Sequence, residues 1–273
     1  MTATGPDVAQ RAEAGSLPQP EIAVSEDRIL GGRLRLRQPV KGYRVAIDPL
    51  LLGAAVPARP GEKALDLGCG VGAAALCLAL RIPGLEVGGI DVQPALVRLA
   101  TENAALNGVA ERVKPSVGDV LALPSSARDS DYDHVFCNPP YLAHGAATAA
   151  TDASRAVADL EGEARLSDWV AAALAAARLG GTVTFIHRAD RLDELLAAMQ
   201  GRAGGTVIYP LWPKAVGARA EGGSRPAKRV IVQARKGKSG PARLLPGLVL
   251  HDDDGAYTPA AEDVLRGGEA LRF

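Results

Sequence analysis

From Pro60-Gly61 onward, short apolar runs alternate with Ala- and Leu-rich stretches of helical period. This is the pattern of strands joined by crossover helices into a mainly parallel sheet. The runs predict strands over Lys63–Leu67, Glu86–Asp91, Arg112–Val117, Asp133–Asn138, Thr182–His187, Thr206–Tyr209 and Arg229–Ala234. Helices are predicted over Ala73–Arg81, Pro94–Asn107, Glu163–Leu179 and Arg191–Met199, with Asn107-Gly108 and Gly180-Gly181 as helix stops. Upstream, Arg33-Leu34-Arg35-Leu36-Arg37 alternates with period two behind Gly31-Gly32, which predicts a half-exposed strand or hairpin. Asp48-Pro49 then reads as a helix start, with a capping carboxylate and proline at the first helical position. The chain divides into a tail over 1–25, a basic hairpin and helix over 26–60, the α/β domain over 61–250 and a C-terminal tail over 251–273.

Composition narrows the class without naming a function. In 273 residues, 47% apolar and 23% charged with formal net charge +0, neither the signature of disorder nor the cation excess of an obvious nucleic-acid binder is present. Cys69, Cys77 and Cys137 cannot form a disulfide framework, and none stands at zinc-ligand spacing. A reducing, cytoplasmic setting and no metal are expected. Met1–Pro20 has no basic start followed by an apolar run, and no stretch approaches the ~20 apolar residues of a membrane span. Neither a signal peptide nor a membrane partner is expected, and the chain is expected to act as a monomer.

The first candidate chemistry lies in Asp66-Leu67-Gly68-Cys69-Gly70-Val71-Gly72, a carboxylate at a strand end followed by glycines at alternate positions and then a helix. Glycines let a ligand lie against bare backbone. The spacing is not the G-x-G-x-x-G of dinucleotide binders, and a carboxylate beside the loop repels a pyrophosphate and attracts a cation. S-adenosylmethionine, with an ammonium and a sulfonium, suits the loop better than NAD. A second acid ends the next strand in Gly89-Ile90-Asp91-Val92, placed to accept both ribose hydroxyls of an adenosine. A third, in Gly118-Asp119-Val120, could reach the adenine amine; either acid could instead cap the turn that follows it. Asp66-Leu67-Gly68-Cys69-Gly70 resembles motif I of the class I S-adenosylmethionine-dependent methyltransferases, and Asp91 their ribose-binding acid. The resemblance covers about Gly61 to Ala234. It implies a Rossmann-like, seven-stranded, mainly parallel sheet with helices on both faces and an antiparallel last strand.

The fourth strand runs into Asn138-Pro139-Pro140-Tyr141. Two prolines stiffen the turn and leave carbonyls as free acceptors, so the Asn138 amide oxygen and the Pro139 carbonyl can hold both hydrogens of an NH₂ group. An exocyclic amine is a poor nucleophile because its lone pair is delocalised; two acceptors favour a pyramidal nitrogen and stabilise its developing charge. Tyr141 offers a stacking face worth ~1–3 kcal/mol to an unpaired base. Asn138, Pro139 and Tyr141 are therefore the catalytic candidates, with Asn138 also facing the cofactor. The tetrapeptide is similar to the signature of amino-methyltransferases acting on adenine N6, guanine N2 or glutamine N5.

Substrate must come from the rest of the chain. Gly42-Tyr43-Arg44-Val45-Ala46-Ile47-Asp48-Pro49-Leu50-Leu51-Leu52-Gly53-Ala54 and Pro226–Ala234 resemble elements of the tRNA adenine-N6 methyltransferases that modify valine tRNA. Six cations (Arg28, Arg33, Arg35, Arg37, Lys41, Arg44) and no acid lie between Arg28 and Arg44. Nine (Lys214, Arg219, Arg225, Lys228, Arg229, Arg235, Lys236, Lys238, Arg243) face Glu221 alone between Lys214 and Arg243. Such segregation suits phosphate binding, with Arg37, Lys41, Arg44, Lys228 and Arg229 as candidate contacts, or else is a solvated surface. The expected activity is methylation of adenine N6 in structured RNA, with tRNA foremost. A glutamine-N5 methyltransferase, a DNA or rRNA amino-methyltransferase and a non-catalytic relic are the alternatives. The long connections Gly145–Glu161 and Lys214–Lys228 are expected over the strand ends where ligands bind. Trp169 reads as packing and Trp212 as packing or a base platform, and none of His134, His144, His187 and His251 reads as a ligand or base.

Overall fold

Alternation builds the first element. β1 (Val24–Ile29) and β2 (Leu34–Pro39) pair antiparallel, with Leu34 and Leu36 fully buried and the arginines between them half-buried. In the computed structural model, residues 23–42, 44–128, 132–141, 164–214 and 226–273 are described. α1 (Asp48–Ala55) follows, with an almost wholly buried surface.

Seven strands overlap the predicted runs: β3 (Lys63–Leu67), β4 (Glu86–Asp91), β5 (Val113–Val117), β6 (Tyr132–Cys137), β7 (Ala177–Arg188), β8 (Ala203–Lys214) and β9 (Arg229–Lys236). β7 starts earlier than expected, so Gly180-Gly181 lie inside it and do not stop a helix. The helices between them are α2 (Ala73–Arg81), α3 (Pro94–Leu106), α4 (Ser125–Arg128), α5 (Leu166–Ala176) and α6 (Leu192–Met199). β9 is antiparallel to both neighbours, β7 and β8, while the other pairs in this sheet are parallel.

The sheet has nine strands rather than the expected seven. β10 (Arg243–Leu244) and β11 (Leu248–His251) add to β8 at the far edge. Both are short and flanked by Pro241 and Pro246-Gly247, which mask strand character in the sequence. The expectation of a C-terminal tail over 251–273 is likewise corrected. Thr258 caps α7 (Pro259–Leu265) by accepting the Ala261 N–H at 3.2 Å. Leu271 N–H donates to the Ala54 carbonyl of α1 at 2.9 Å, and the Phe273 ring lies 4.9 Å from Tyr209. Val264, Leu265 and Leu271 are buried, and that apolar burial outweighs the cost of ordering the segment.

One apolar cluster joins the hairpin, α1, α2 and α7 on one face of the sheet, and a second joins α4, α5 and α6 on the other. The strand order β7-β6-β3-β4-β5 sets the carboxyl ends of β6, β3 and β4 side by side, where the order reverses and a crevice opens. The expected tail over 1–25 is corrected at its end, since Val24 and Ser25 already pair in β1; residues 1–22, Tyr43, His144, the Gly145–Glu161 connection and Gly217–Arg225 lie outside the described residues.

Candidate active site

The glycine loop is pinned between two strands and a helix. Gly68 and Cys69 N–H groups donate to the Ile90 carbonyl at 2.7 and 3.0 Å, fixing the loop against β4. Gly68 has φ +71°, and a Cβ there would lie 2.8 Å from the Trp169 ring of α5, so both backbone and space demand glycine. Trp169 therefore packs, as expected, but it packs on the loop itself and lines the same cavity. Gly70 N–H donates to Asp91 Oδ2 at 2.8 Å, and a Cβ on Gly70 would meet no atom within 4 Å.

A cavity of about 590 Å³ opens over these strand ends. Asp66, Gly68, Cys69 and Gly70 line it from β3 and the loop, Asp91 and Val92 from β4, Asp119 and Val120 from the β5 end, and Asn138 from β6. Gly72 does not. Its φ of +85° starts α2, and a Cβ there would stand 3.3 Å from Ala100, so it closes α2 against α3 instead.

The three acids differ in their surroundings. Asp66 is 3% exposed. Burial holds its carboxyl well above the usual carboxylate range, helped by the Asp91 charge and opposed by the Ala75 N–H. Asp91 is also pushed up by burial, against the N–H groups of Gln93 and Gly70, and each of its oxygens keeps a lone pair. Asp119 is exposed and accepts the Leu121 N–H at 2.9 Å, so it caps its own turn while lining the cavity. Burial, then the Asp66 and Asp91 charges, keep the Cys69 thiol protonated.

At the end of β6, on the strand next to β3 and Asp66, Asn138, Pro139, Pro140 and Tyr141 line the same cavity. The Asn138 Oδ1 atom is buried and has no hydrogen-bond partner. The Tyr141 hydroxyl donates to Asp48, which also accepts Nε of Arg229 at 3.1 Å. The Arg229 guanidinium lies 4.3 Å from the Tyr141 ring centroid. His187, fully buried with both ring nitrogens unpartnered, stands 5.6 Å from that ring. Burial, then the Arg191 and Arg229 charges, pull His187 down to about 4, so its imidazole is neutral.

Two members of this cluster escape a reading of the sequence. Asp48 was expected as a helix cap, but no side chain caps α1, and the carboxylate faces Tyr141 and Arg229. His187 carries no sequence signal, because only the parallel pairing of β6 with β7 brings it beside Tyr141.

The basic segments are brought together only in part. Lys41 lines the cavity and Arg229 packs on Tyr141, while Lys228 is exposed beside it. Arg37 pairs with Glu26 at 3.5 Å and Glu102 at 3.6 Å and does not line the cavity. Arg44 likewise pairs with Asp27 at 2.6 Å. Glu26 and Asp27 sit just upstream of the acid-free stretch, on the strand that folds back against it. Arg235 and Lys236 lie at the opposite end of β9 from Arg229, about 20 Å away at ~3.3 Å per residue. Arg219 and Arg225 are outside the described residues. Trp212 donates to the Pro246 carbonyl at 2.9 Å, an edge-packing role. Among the described residues no cluster could hold a metal ion, and no helix is long and apolar enough to cross a membrane.

Residues 58–175 match a family model described as a methyltransferase domain. Curated relatives named tRNA1(Val) (adenine(37)-N6)-methyltransferase, from Yersinia pestis and Yersinia pseudotuberculosis, are 34% identical over 127 residues, which is 45% of this chain and 51% of theirs. The chain thus spans about half the length of the curated relatives it matches. A predicted O-methyltransferase from Agrobacterium tumefaciens superposes with TM-score 0.65 at 26% identity, over 82% of this chain and 98% of that one. A SAM-dependent O-methyltransferase from Thermotoga maritima shares the fold, with TM-score 0.50 at 16% identity over 72% of this chain and 67% of its own. Residues 58–175 are thus similar to a methyltransferase domain, and the chain is built on the Rossmann-like class I fold.

Proposed function

We propose that this chain transfers a methyl group from S-adenosylmethionine to the exocyclic N6 amine of adenine in structured RNA, with tRNA as the substrate. The observation that carries the reading is the Asn138 carboxamide oxygen, buried and unpartnered in a cavity that Asp66, Asp91 and Asp119 also line. A buried acceptor without a donor costs ~1–3 kcal/mol, a cost that a bound amine removes.

The cavity fits the cofactor. Its volume of about 590 Å³ lies within the ~300–1,000 Å³ of ligand sites, and its most buried polar group is a carboxylate that only a cation would favour ionised. Asp66 and the bare Gly70 backbone would hold the aminoacyl end, Asp91 the ribose hydroxyls and Asp119 the adenine edge. When bound, S-adenosylmethionine supplies an electrophilic methyl group on a positively charged sulfur.

The chain's own residues activate the acceptor. Asn138 Oδ1 and the Pro139 carbonyl take one N–H each, which favours a pyramidal nitrogen and directs its lone pair to the cofactor side. No strong base is needed, since the proton leaves a cationic nitrogen after transfer. Tyr141 receives the base, flipped out of its stack. The relatives' names support adenine in tRNA, and Lys41 in the cavity lining together with the exposed Lys228 suit a polyanionic substrate.

The test is Asn138→Ala. Loss of two-acceptor activation predicts a fall in kcat of about 10²–10³-fold, the size seen when one preorganised partner of a reacting group is removed, with cofactor affinity by calorimetry within about threefold. Near-normal methyl transfer by this variant overturns the reading.

A further inference from the structure

Asp48 opens α1, yet its carboxylate makes no capping hydrogen bond to the helix, whose N-cap position is Ile47. It turns instead to two groups from distant parts of the chain, the Tyr141 hydroxyl and Arg229 Nε at 3.1 Å. Its side chain is only 14% exposed, and it does not line the cavity. The guanidinium it holds lies over one face of the Tyr141 ring, and the buried His187 ring tilts at 43° beside it. One carboxylate thus fixes the hydroxyl end of the ring and the cation on its face.

That arrangement assigns Tyr141 a role and removes another. A hydroxyl that donates its proton to Asp48 has none to give a substrate, so Tyr141 serves as a surface and not as an acid. Arg229 packs on the ring, and Tyr141 lines the cavity where an acceptor base would stack. A tyrosine following a strand-end turn has two soft side-chain torsions and would otherwise sample several rotamers. We infer that Asp48 is a positioning residue: through Tyr141 and Arg229 it holds an aromatic platform for the acceptor base, without touching cofactor or the transferred methyl group. This rests on the reading that the acceptor is a nucleobase, and it extends that reading to a residue of the N-terminal segment.

The experiment uses the full chain with Asp48→Asn, Asp48→Ala and Tyr141→Phe, measuring kcat and KM for tRNA, cofactor affinity by calorimetry, and the ring ¹³C resonance of Tyr141 assigned by its loss in Tyr141→Phe. Asp48→Ala is expected to raise KM for tRNA about tenfold or more with cofactor affinity unchanged, and Asp48→Asn, which keeps one acceptor, to recover part of it. Combined with Tyr141→Phe, Asp48→Ala should add less than its effect alone. The Tyr141 resonance should shift in both Asp48 variants. An unmoved resonance, or an unchanged KM, overturns the inference. If Asp48→Ala does not fold, the near-isosteric Asp48→Asn decides by the same two readouts. Should the unmodified chain methylate no nucleic acid, the functional reading falls on its own, and the resonance alone then decides whether Asp48 holds Tyr141.

Discussion

Burial raises the Asp66 carboxyl well above its ordinary range, and a cation bound beside it reverses that preference. The sign follows from linkage. A carboxyl whose pKa is raised in the ligand-free fold must lose its proton when a cationic cofactor binds, so affinity rises with pH through the raised pKa and is lost as pH falls below it. Calorimetry in buffers of different ionisation enthalpy should show proton release on S-adenosylmethionine binding. Asp66→Asn should abolish that release and weaken binding about 10- to 100-fold, the ~1.5–3 kcal/mol of a charged hydrogen bond. A pH-independent affinity in the unmodified chain would contradict this role. Asp66, Asp91 and Asn138 are legible in sequence because each sits within one or two residues of a strand end whose apolar run marks it. Asp48 and His187 are not, since their partners are set by which strands lie side by side and not by their neighbours in the chain.

Hairpin β1–β2 is tied to the glycine loop by side chains that act as a strand. On α3, Asn107 exchanges hydrogen bonds with the Arg35 N–H and carbonyl at 2.9 and 2.7 Å, and Asn103, one turn earlier, does the same with Arg37 at 2.7 and 2.9 Å. Asn103 is fully buried and donates also to the Val71 carbonyl of the loop at 3.0 Å. Asn103→Ala strands Val71 and the edge of β2 together, and urea unfolding should show a loss of about 2 kcal/mol, within the ~1–3 kcal/mol of an unsatisfied buried group. A change below about 0.5 kcal/mol, the scale of ordinary surface substitutions, would show that the asparagine ladder is dispensable. The hairpin itself is legible from strict alternation over Arg33–Arg37. Asparagine inside a helix reads only as a weak helix former, so its bonding to β2 is hidden. β10 and β11 are hidden because a pair of strands this short offers too little periodicity between its prolines.

Across the whole molecule, the alternation of strand and helix fixes the sheet order, and the order gathers four loops into one cavity. The C-terminal segment defeats a linear reading, because Val264, Leu265, Leu271 and Phe273 are scattered among glycines and charges and gain meaning only against α1 and Tyr209. Net charge misleads in a similar way. Arg35, Arg37 and Arg44 of the basic segment pair with Glu26 and Asp27 of β1, and Arg229 with Asp48, whereas Lys41 lines the cavity. The most direct test is incubation of the full chain with methyl-labelled S-adenosylmethionine and total tRNA, followed by nucleoside mass analysis. N6-methyladenosine in the tRNA is the expected product; label in a 2′-O-methyl nucleoside, in a protein glutamine, or in no acceptor while calorimetry shows the cofactor bound, would contradict the account.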